Sequence, residues 1–229
     1  MKGLIISNGE IKNDKLLRDV ARDSDYIICA DGGADYIADT SIKPDLLIGD
    51  FDSIDKDTFR KLERDKVTIK KFPIKKDYTD TELAINILIE KGAEEIIFMG
   101  ATGSRLDHSL ANIHLLYKLY KMNIKGTIVN ENNKIFIGYG DIVIEKEENT
   151  YVSIIPRWDR GSIVTLKGFQ YETDRKKFEF SSSYGISNRI VKDRGEIKIE
   201  SGECIIVISK DWSSLYGKYN FVTIIYISE

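Results

Sequence analysis

Through roughly the first 125 residues, short apolar runs alternate with helical patterns, and this alternation leaves few folds open. Leu4-Ile-Ile reads as a buried strand, and Lys15 to Arg22 as a short helix. Tyr26 to Ala30 and Leu46-Leu-Ile-Gly49 read as strands. A polar helix near Asp55 to Asp65 follows, then a strand from Val67 to Phe72. Thr79-Asp-Thr-Glu82 has the spacing of a capping box, in which the threonine hydroxyl accepts from the amide three residues on. The helix it opens carries Leu83, Ala84, Ile87 and Leu88 on one face and stops at Gly92. Glu95 to Gly100 is a further strand. The next helix sets Leu106, Leu110, Ile113, Tyr117 and Tyr120 at the spacing of an apolar face. Strands separated by helices pair in parallel, with the helices on the sheet faces. The expectation is an α/β fold, with a parallel-sheet domain over residues 1–130.

Beyond that point the helical period disappears. Gly126-Thr-Ile-Val, Lys134-Ile-Phe-Ile, Asp141-Ile-Val-Ile, Tyr151-Val-Ser-Ile-Ile, Ser162-Ile-Val-Thr-Leu, Glu196-Ile-Lys-Ile and Glu203-Cys-Ile-Ile-Val-Ile are strand-like. Turn signals at Tyr139-Gly-Asp, Lys167-Gly and Ser201-Gly-Glu separate them. Short strands at such spacing predict an antiparallel sandwich or barrel. A boundary at Asn130-Glu-Asn-Asn-Lys134 makes residues 131–229 an all-β sandwich domain.

The charges nearly balance, with 34 basic against 37 acidic side chains, so bulk charge points to no nucleic-acid partner. No apolar run approaches the ~20 residues of a membrane span, and the first residues turn polar too soon for a signal peptide. Cys29 and Cys204 are far apart, each in an apolar run, and read as buried thiols rather than a disulfide or zinc framework. The expected location is the cytoplasm.

The acidic residues carry the chemistry. Asp31, Asp50, Asp52, Asp77 and Asp80 all fall where a strand-like run gives way to a turn. In open α/β sheets, ligands bind outside the carboxyl ends of the strands. Carboxylates gathered there repel one another unless a cation lies between them, and hard oxygen donors suit Mg²⁺ with substrate phosphates. Asp50 and Asp52 are two apart, so in extended chain both point to one side and Phe51 to the other, toward apolar packing. A metal clamp and a solvated acidic turn capping the next helix are both open at this stage.

Two loops could meet phosphate. Asp31-Gly32-Gly33 closes a strand with glycines that let a backbone approach a ligand closely, although an ordinary turn has the same composition. Gly100-Ala-Thr-Gly103-Ser104-Arg105-Leu106-Asp107-His108 joins a strand to a helix start. There, loop amides and the planar fork of Arg105 form an anion site, with Asp107 steadying the arginine or another loop group. Lys75 and Lys76, beside Asp77, are either phosphate contacts or solvated charges. His108 either moves a proton or is structural. By composition, Ser181 to Asn188 is a polar loop.

In this order and spacing, four segments resemble the bacterial thiamine pyrophosphokinases. They are Ala30-Asp-Gly-Gly-Ala, Pro44 to Ser53, Phe72 to Ala84, and Gly100 to His108 with Ala111-Asn112. Ser153 to Pro156, Gly168 to Tyr171 and Gly185 to Asn188 resemble that family's thiamine-binding domain. Three features depart from the pattern: Ser104 stands where the family usually has glycine, Arg189 where it often has glutamate, and Trp212 to Glu229 runs past the usual end. In the last of these, Phe221 to Ile227 looks like an added strand.

The resemblance implies that residues 1–130 are a Rossmann-like nucleotide-binding domain followed by a β-sandwich, and it implies transfer of a pyrophosphoryl group from ATP to the thiamine hydroxyl, by a homodimer with thiamine held between subunits. It implies Asp50, Asp52 and Asp77 as leading Mg²⁺ ligands, with Asp31 and Asp80 next, directly or through water. Arg105 would bind ATP phosphates in a site lined by Asp31, Gly32, Gly33, Gly103, Ser104, Asp107 and His108. The catalytic set is then Asp50, Asp52, Asp77, Asp80 and Arg105. Ser187 and Asn188 become candidate hydrogen-bond partners of the thiamine pyrimidine. Two rivals stand beside this reading: a pyrophosphokinase for another hydroxymethyl heterocycle, such as a pterin, and a non-catalytic thiamine or nucleotide sensor.

Overall fold

The structure, a computed structural model, describes residues 1–73, 77–210 and the backbone of the strand at 224–227. The chain divides into two compact units, Met1–Glu131 and Asn132–Glu229. Lys75 and Lys76 lie outside the described residues.

The first unit is a parallel sheet with helices. Its strands are β1 (Lys2–Ile6), β2 (Tyr26–Ala30), β3 (Leu46–Gly49), β4 (Thr68–Lys71), β5 (Glu95–Met99) and β6 (Lys125–Val129). They lie in the order β6-β5-β1-β2-β3-β4, and every neighbouring pair is parallel. The chain runs outward from β1 to β4 and then returns to the other side of β1. The order therefore reverses between β1 and β5, the place where open α/β sheets leave a crevice for ligands. The central strands are apolar on both faces, as helix-covered parallel strands are; Leu4, Ile5 and Ile6 are all fully buried.

The first three α-helices each start at a residue whose side chain satisfies free amides, and the fourth (Leu106–Lys121), preceded by Arg105, has no such side-chain cap. Asn13 accepts from Leu16 N–H at the start of α1 (Asp14–Arg22). Asp55 accepts from the Asp57 and Thr58 amides at α2 (Lys56–Arg64). Thr79 accepts from Glu82 N–H at 3.2 Å to open α3 (Asp80–Glu90), as its capping box predicts. Gly92 follows α3 at φ +80°, a left-handed stop that favours glycine. Leu16, Leu17 and Val20 of α1 join Leu4, Ile6, Ile27 and Leu47 in one core, each buried side chain contributing about 1.5–3 kcal/mol.

In α4 (Leu106–Lys121) the spacing misidentifies the buried face. Leu106 and Leu110 are exposed, and Ser109, Asn112, Leu116 and Leu119 are buried instead. The first half of this helix turns polar side chains inward because they brace the loop before it.

The second unit is β-rich and antiparallel. It contains β7 (Asn133–Glu145), β8 (Thr150–Pro156), β9 (Ser162–Lys167), β10 (Thr173–Phe178), β11 (Arg194–Lys210) and β12 (Ile224–Ile227). β11 pairs with β7 along one edge and, along the other, first with β9 and then with β8. Phe136, Ile142, Val152, Val164, Phe178 and Ile206 are among the residues of an apolar core in this unit.

Two turns expected at Tyr139-Gly-Asp and Ser201-Gly-Glu are not chain reversals. Both lie inside long strands and nearly face each other, at a register shift between Ile199 and Cys204. Glycine at positive φ serves a bulge as well as a turn; Gly140 has φ +60° and Gly202 φ +79°. β10 had no apolar alternation to announce it, because Asp174, Arg175, Lys176 and Lys177 are all exposed. From the expected C-terminal strand, Ile224–Ile227 forms β12, antiparallel to β7; Phe221 to Thr223 lie outside the described residues.

Cys29 and Cys204 are free and buried. Burial pushes the Cys29 thiol far up, and the Cys204 thiol up to about 11. Among the described residues, no helix is long and apolar enough to cross a membrane.

Candidate active site

Asp31 is the first residue beyond β2, and Asp50 and Asp52 lie just beyond β3, so two adjacent strands deliver three carboxylates to one end of the sheet. One oxygen from each lies within 4.8 Å of the others. The local backbone is bent to achieve this. Asp31 has φ +50° and Phe51 φ +68°, left-handed values that cost a non-glycine residue about 1–2 kcal/mol each. Gly49, at φ +148°, leaves room for the Asp31 side chain; a Cβ there would come within 3.1 Å of Asp31 Cβ.

Asp50 and Asp52 share a side for a different reason from the one their spacing suggests. The segment is a tight turn rather than extended chain, and Asp52 N–H donates to the Asp50 carboxylate at 3.2 Å. Phe51 does turn to the apolar side, stacking at 5.2 Å on Phe59. Ser53 donates to Asp52 at 2.8 Å.

Asp31 is half-buried, and its Oδ1 is sealed from solvent with no hydrogen-bond partner. Its carboxyl is pushed above the usual range, first by burial and then, against an easing hydrogen bond from Ser53, by the charges of Asp50, Asp52 and Asp80. A sealed, unpartnered acceptor among acids is what an oxygen-liganded divalent cation would complete. The donor set therefore fits Mg²⁺. Asp80, half-buried in the first turn of α3, reaches this group through its charge. Asp77 is exposed, and the cluster of three does not include it. Of the acids that the sequence singles out, Asp31 therefore stands with Asp50 and Asp52.

Gly32 and Gly33 are buried, and the close backbone approach they permit is to this chain itself. A Cβ on Gly32 would come within 2.7 Å of the Asn8 side chain, and one on Gly33 would strike the Ile6 carbonyl. They let the Asp31 turn press against the end of β1.

The loop after β5 is held on several sides. Gly9 N–H donates to Gly100 O at 2.7 Å and Glu10 N–H to Thr102 O at 2.8 Å. The buried Asn112 donates to Ala101 O at 2.7 Å, and Asn130 to Thr102 Oγ1 at 2.9 Å. Ser109 accepts from Gly103 N–H and donates to Arg105 O. From this braced loop Ser104, Arg105, Asp107 and His108 project into solvent. Arg105 grips Asp107 with two hydrogen bonds, of 3.2 and 2.6 Å. The Arg105 bond holds the Asp107 carboxyl down at about 2. Sequence reasoning overlooked Asn112 and Asn130 as braces, although polar residues at inward positions of a helix or strand end were the available signal.

In the second unit, Ser187 is exposed at φ +60°, and its N–H donates to Ser153 Oγ. Asn188 is buried with its side-chain amide engaged: it accepts from the Tyr171 and Arg189 backbone amides and donates to Tyr171 O. Asn188 thus fixes Tyr171, which lines a cleft of about 240 Å³ with Phe178, Tyr184 and Ile186. Arg189 lies over the Tyr151 ring at 4.4 Å.

Gly33→Ala is expected to destabilise the protein by about 1–3 kcal/mol, because the added methyl has only backbone to displace. Urea denaturation of the variant against wild type measures it.

Comparison with known proteins supplies the family. The model described as thiamin pyrophosphokinase, catalytic domain, matches residues 17–128, and that for its vitamin B1 binding domain matches residues 141–206. The thiamine pyrophosphokinase of Bacillus subtilis is 36% identical over 186 residues, covering 80% of this chain and 87% of that protein. The crystal structure of the Bacillus subtilis enzyme superposes with a TM-score of 0.83 at 31% identity, over 92% of this chain and 100% of that one. The Geobacillus thermodenitrificans enzyme gives 0.80 at 28% identity, over 93% and 99%.

Proposed function

The chain belongs to the thiamin pyrophosphokinase family, and we infer that it carries out the reaction its relatives are named for. It transfers a pyrophosphoryl group from ATP to the hydroxyl of thiamine, giving thiamine diphosphate and AMP. The match to a vitamin B1 binding domain sets aside the pterin alternative. Retention of the carboxylates sets aside the non-catalytic sensor.

The observation that carries the catalytic reading is the meeting of Asp31, Asp50 and Asp52, with the buried Asp31 Oδ1 left unpartnered. We assign Mg²⁺ to these three, with Asp80 as a neighbouring charge and Asp77 as a residue at the mouth. Bound there, the cation neutralises charge on the transferring phosphate oxygens. The protein's own part is alignment. The turns at Asp31 and Phe51 fix the carboxylates before substrate arrives, and the braced 100–105 loop presents amides and Arg105 to the nucleotide phosphates. Asp107 orients the planar Arg105 fork, a two-point grip that a lysine could not reproduce. A carboxylate near the attacked phosphorus accepts the hydroxyl proton.

The cleft beside Tyr171, Phe178 and Tyr184 suits the thiamine rings, since aromatic faces attract a cationic ring. Ser187, on its rim segment, is the hydrogen-bonding candidate, and Asn188 acts by holding Tyr171. The assembly we propose is a homodimer whose sites combine the first unit of one subunit with the β-rich unit of the other. An ATP-consuming reaction and two buried free thiols support a cytoplasmic enzyme.

The defining experiment incubates the protein with thiamine, ATP and Mg²⁺ and identifies products; AMP with thiamine diphosphate is expected, and ADP with thiamine monophosphate would refute pyrophosphoryl transfer. Asp52→Asn keeps the shape and removes the charge, and should lower kcat at least ~100-fold with the fold intact. For the dimer, inactive Asp52→Asn subunits mixed with inactive Asn188→Ala subunits should regain activity in verified mixed dimers. Failure to recover would place each site within one chain.

A further inference from the structure

We propose that the hydrogen bond between Ser7 and Thr81 is a positioning device for the cation site, fixing Asp80 beside the Asp31–Asp50–Asp52 group. The inference rests on the reading of that group as the divalent-cation site. Ser7 Oγ and Thr81 Oγ1 lie 3.0 Å apart, and their residues are only 5% and 8% exposed. They are separated by 74 residues, so the contact is a tertiary choice rather than a local turn.

Stability gives little reason for this pair. A buried hydroxyl pair replaced on both sides by apolar groups of similar shape is close to neutral. Each hydroxyl could also bond to its own backbone, as serine and threonine commonly do near helix starts. What the pair supplies is a fixed separation between a strand end and a helix start.

The location explains why that separation matters. Ser7 follows the central strand β1, and its N–H donates to Met99 O at 2.9 Å, the end of β5. Gly33, two residues beyond Asp31, comes so close that a Cβ would strike the Ile6 carbonyl and come within 2.9 Å of Ser7 C; a Cβ on Gly100 would strike the Ser7 carbonyl. Ser7 is thus where the Asp31 turn, the start of the braced loop and α3 converge. Thr81 is the residue after Asp80, so one hydroxyl contact ties the helix turn bearing Asp80 to the strand end against which the Asp31 turn rests. The Asp80 charge already acts on the Asp31 carboxyl. Coulombic influence falls with separation, so the distance between Asp80 and that carboxyl matters.

The test compares Ser7→Ala, Thr81→Val, the double variant and the conservative Thr81→Ser with wild type, using Asp52→Asn as control. Three quantities are read: Mn²⁺ affinity of the substrate-free protein by electron paramagnetic resonance, the Mg²⁺ concentration for half-maximal turnover, and the urea midpoint. Each single loss of the bond should weaken Mn²⁺ binding about 3- to 10-fold, near the low end for groups that orient metal ligands. The double variant should lose no more than either single, with its urea midpoint near wild type and KM for thiamine unchanged. Thr81→Ser should stay within about twofold of wild type, since its hydroxyl is retained. Mn²⁺ affinity unchanged in the double variant, while Asp52→Asn loses it, overturns the positioning role alone. Unchanged affinity in Asp52→Asn overturns the cation-site reading and this inference with it.

Discussion

Mutual repulsion among three carboxylates governs the first unit. At about 4 Å, a pair of like charges costs on the order of 1 to 4 kcal/mol, depending on how well solvent screens it. Asp31, Asp50 and Asp52 are held within 4.8 Å nonetheless, and burial of Asp31 removes part of the screening. A protein without use for such a cluster would let the side chains splay into water. Here the backbone is bent to prevent it, with Asp31 and Phe51 left-handed and Gly49 cleared of a side chain. The energy that holds the acids together comes from the sheet behind them. Parallel pairing of β2 with β3, and the apolar core around Cys29 and Leu47, set where their ends must be.

The same sheet explains why the loop proposed to face phosphate stands nearby. The strand order reverses between β1 and β5, and the loop after β5 rises at that point. Its backbone is bonded to Gly9 and Glu10 on one side and to Asn112 on another, so its amides would need little reorganisation to meet the proposed nucleotide phosphates. A braced loop after β5 and an acidic cluster after β2 and β3, at the same end of one sheet with β1 between them, would suit a phosphate chain neutralised from both sides.

What the sequence disclosed follows its periods. Strands of the first unit, the Thr79 capping box and the Gly92 stop were legible because each depends on residues within one turn or one strand. The acidic residues at strand ends were legible because chain order and sheet end are linked in α/β folds. Their ranking was not. Asp31 and Asp77 look alike as letters, and only packing against β1 makes one of them half-buried. The clustering of Asp50 with Asp52 was read from an extended backbone, whereas a turn at Phe51 produces it. In α4, Ser109 and Asn112 displaced Leu106 and Leu110 from the buried face because the loop before it needed partners, a demand no helical period records. Tyr139-Gly-Asp and Ser201-Gly-Glu were mistaken for turns because a bulge uses the same left-handed glycine. The Ser7 to Thr81 contact joins residues too far apart for any local pattern to link.

The claim most open to direct trial is that Asp31, Asp50 and Asp52 together hold one divalent cation. Anomalous diffraction from crystals grown with Mn²⁺ and a non-hydrolysable ATP analogue locates the ion without relying on activity. The account predicts a peak with oxygens of Asp31, Asp50 and Asp52 within about 2 Å of it or joined through its waters. A peak held by Asp77 and phosphate alone, with the three carboxylates empty, would contradict it.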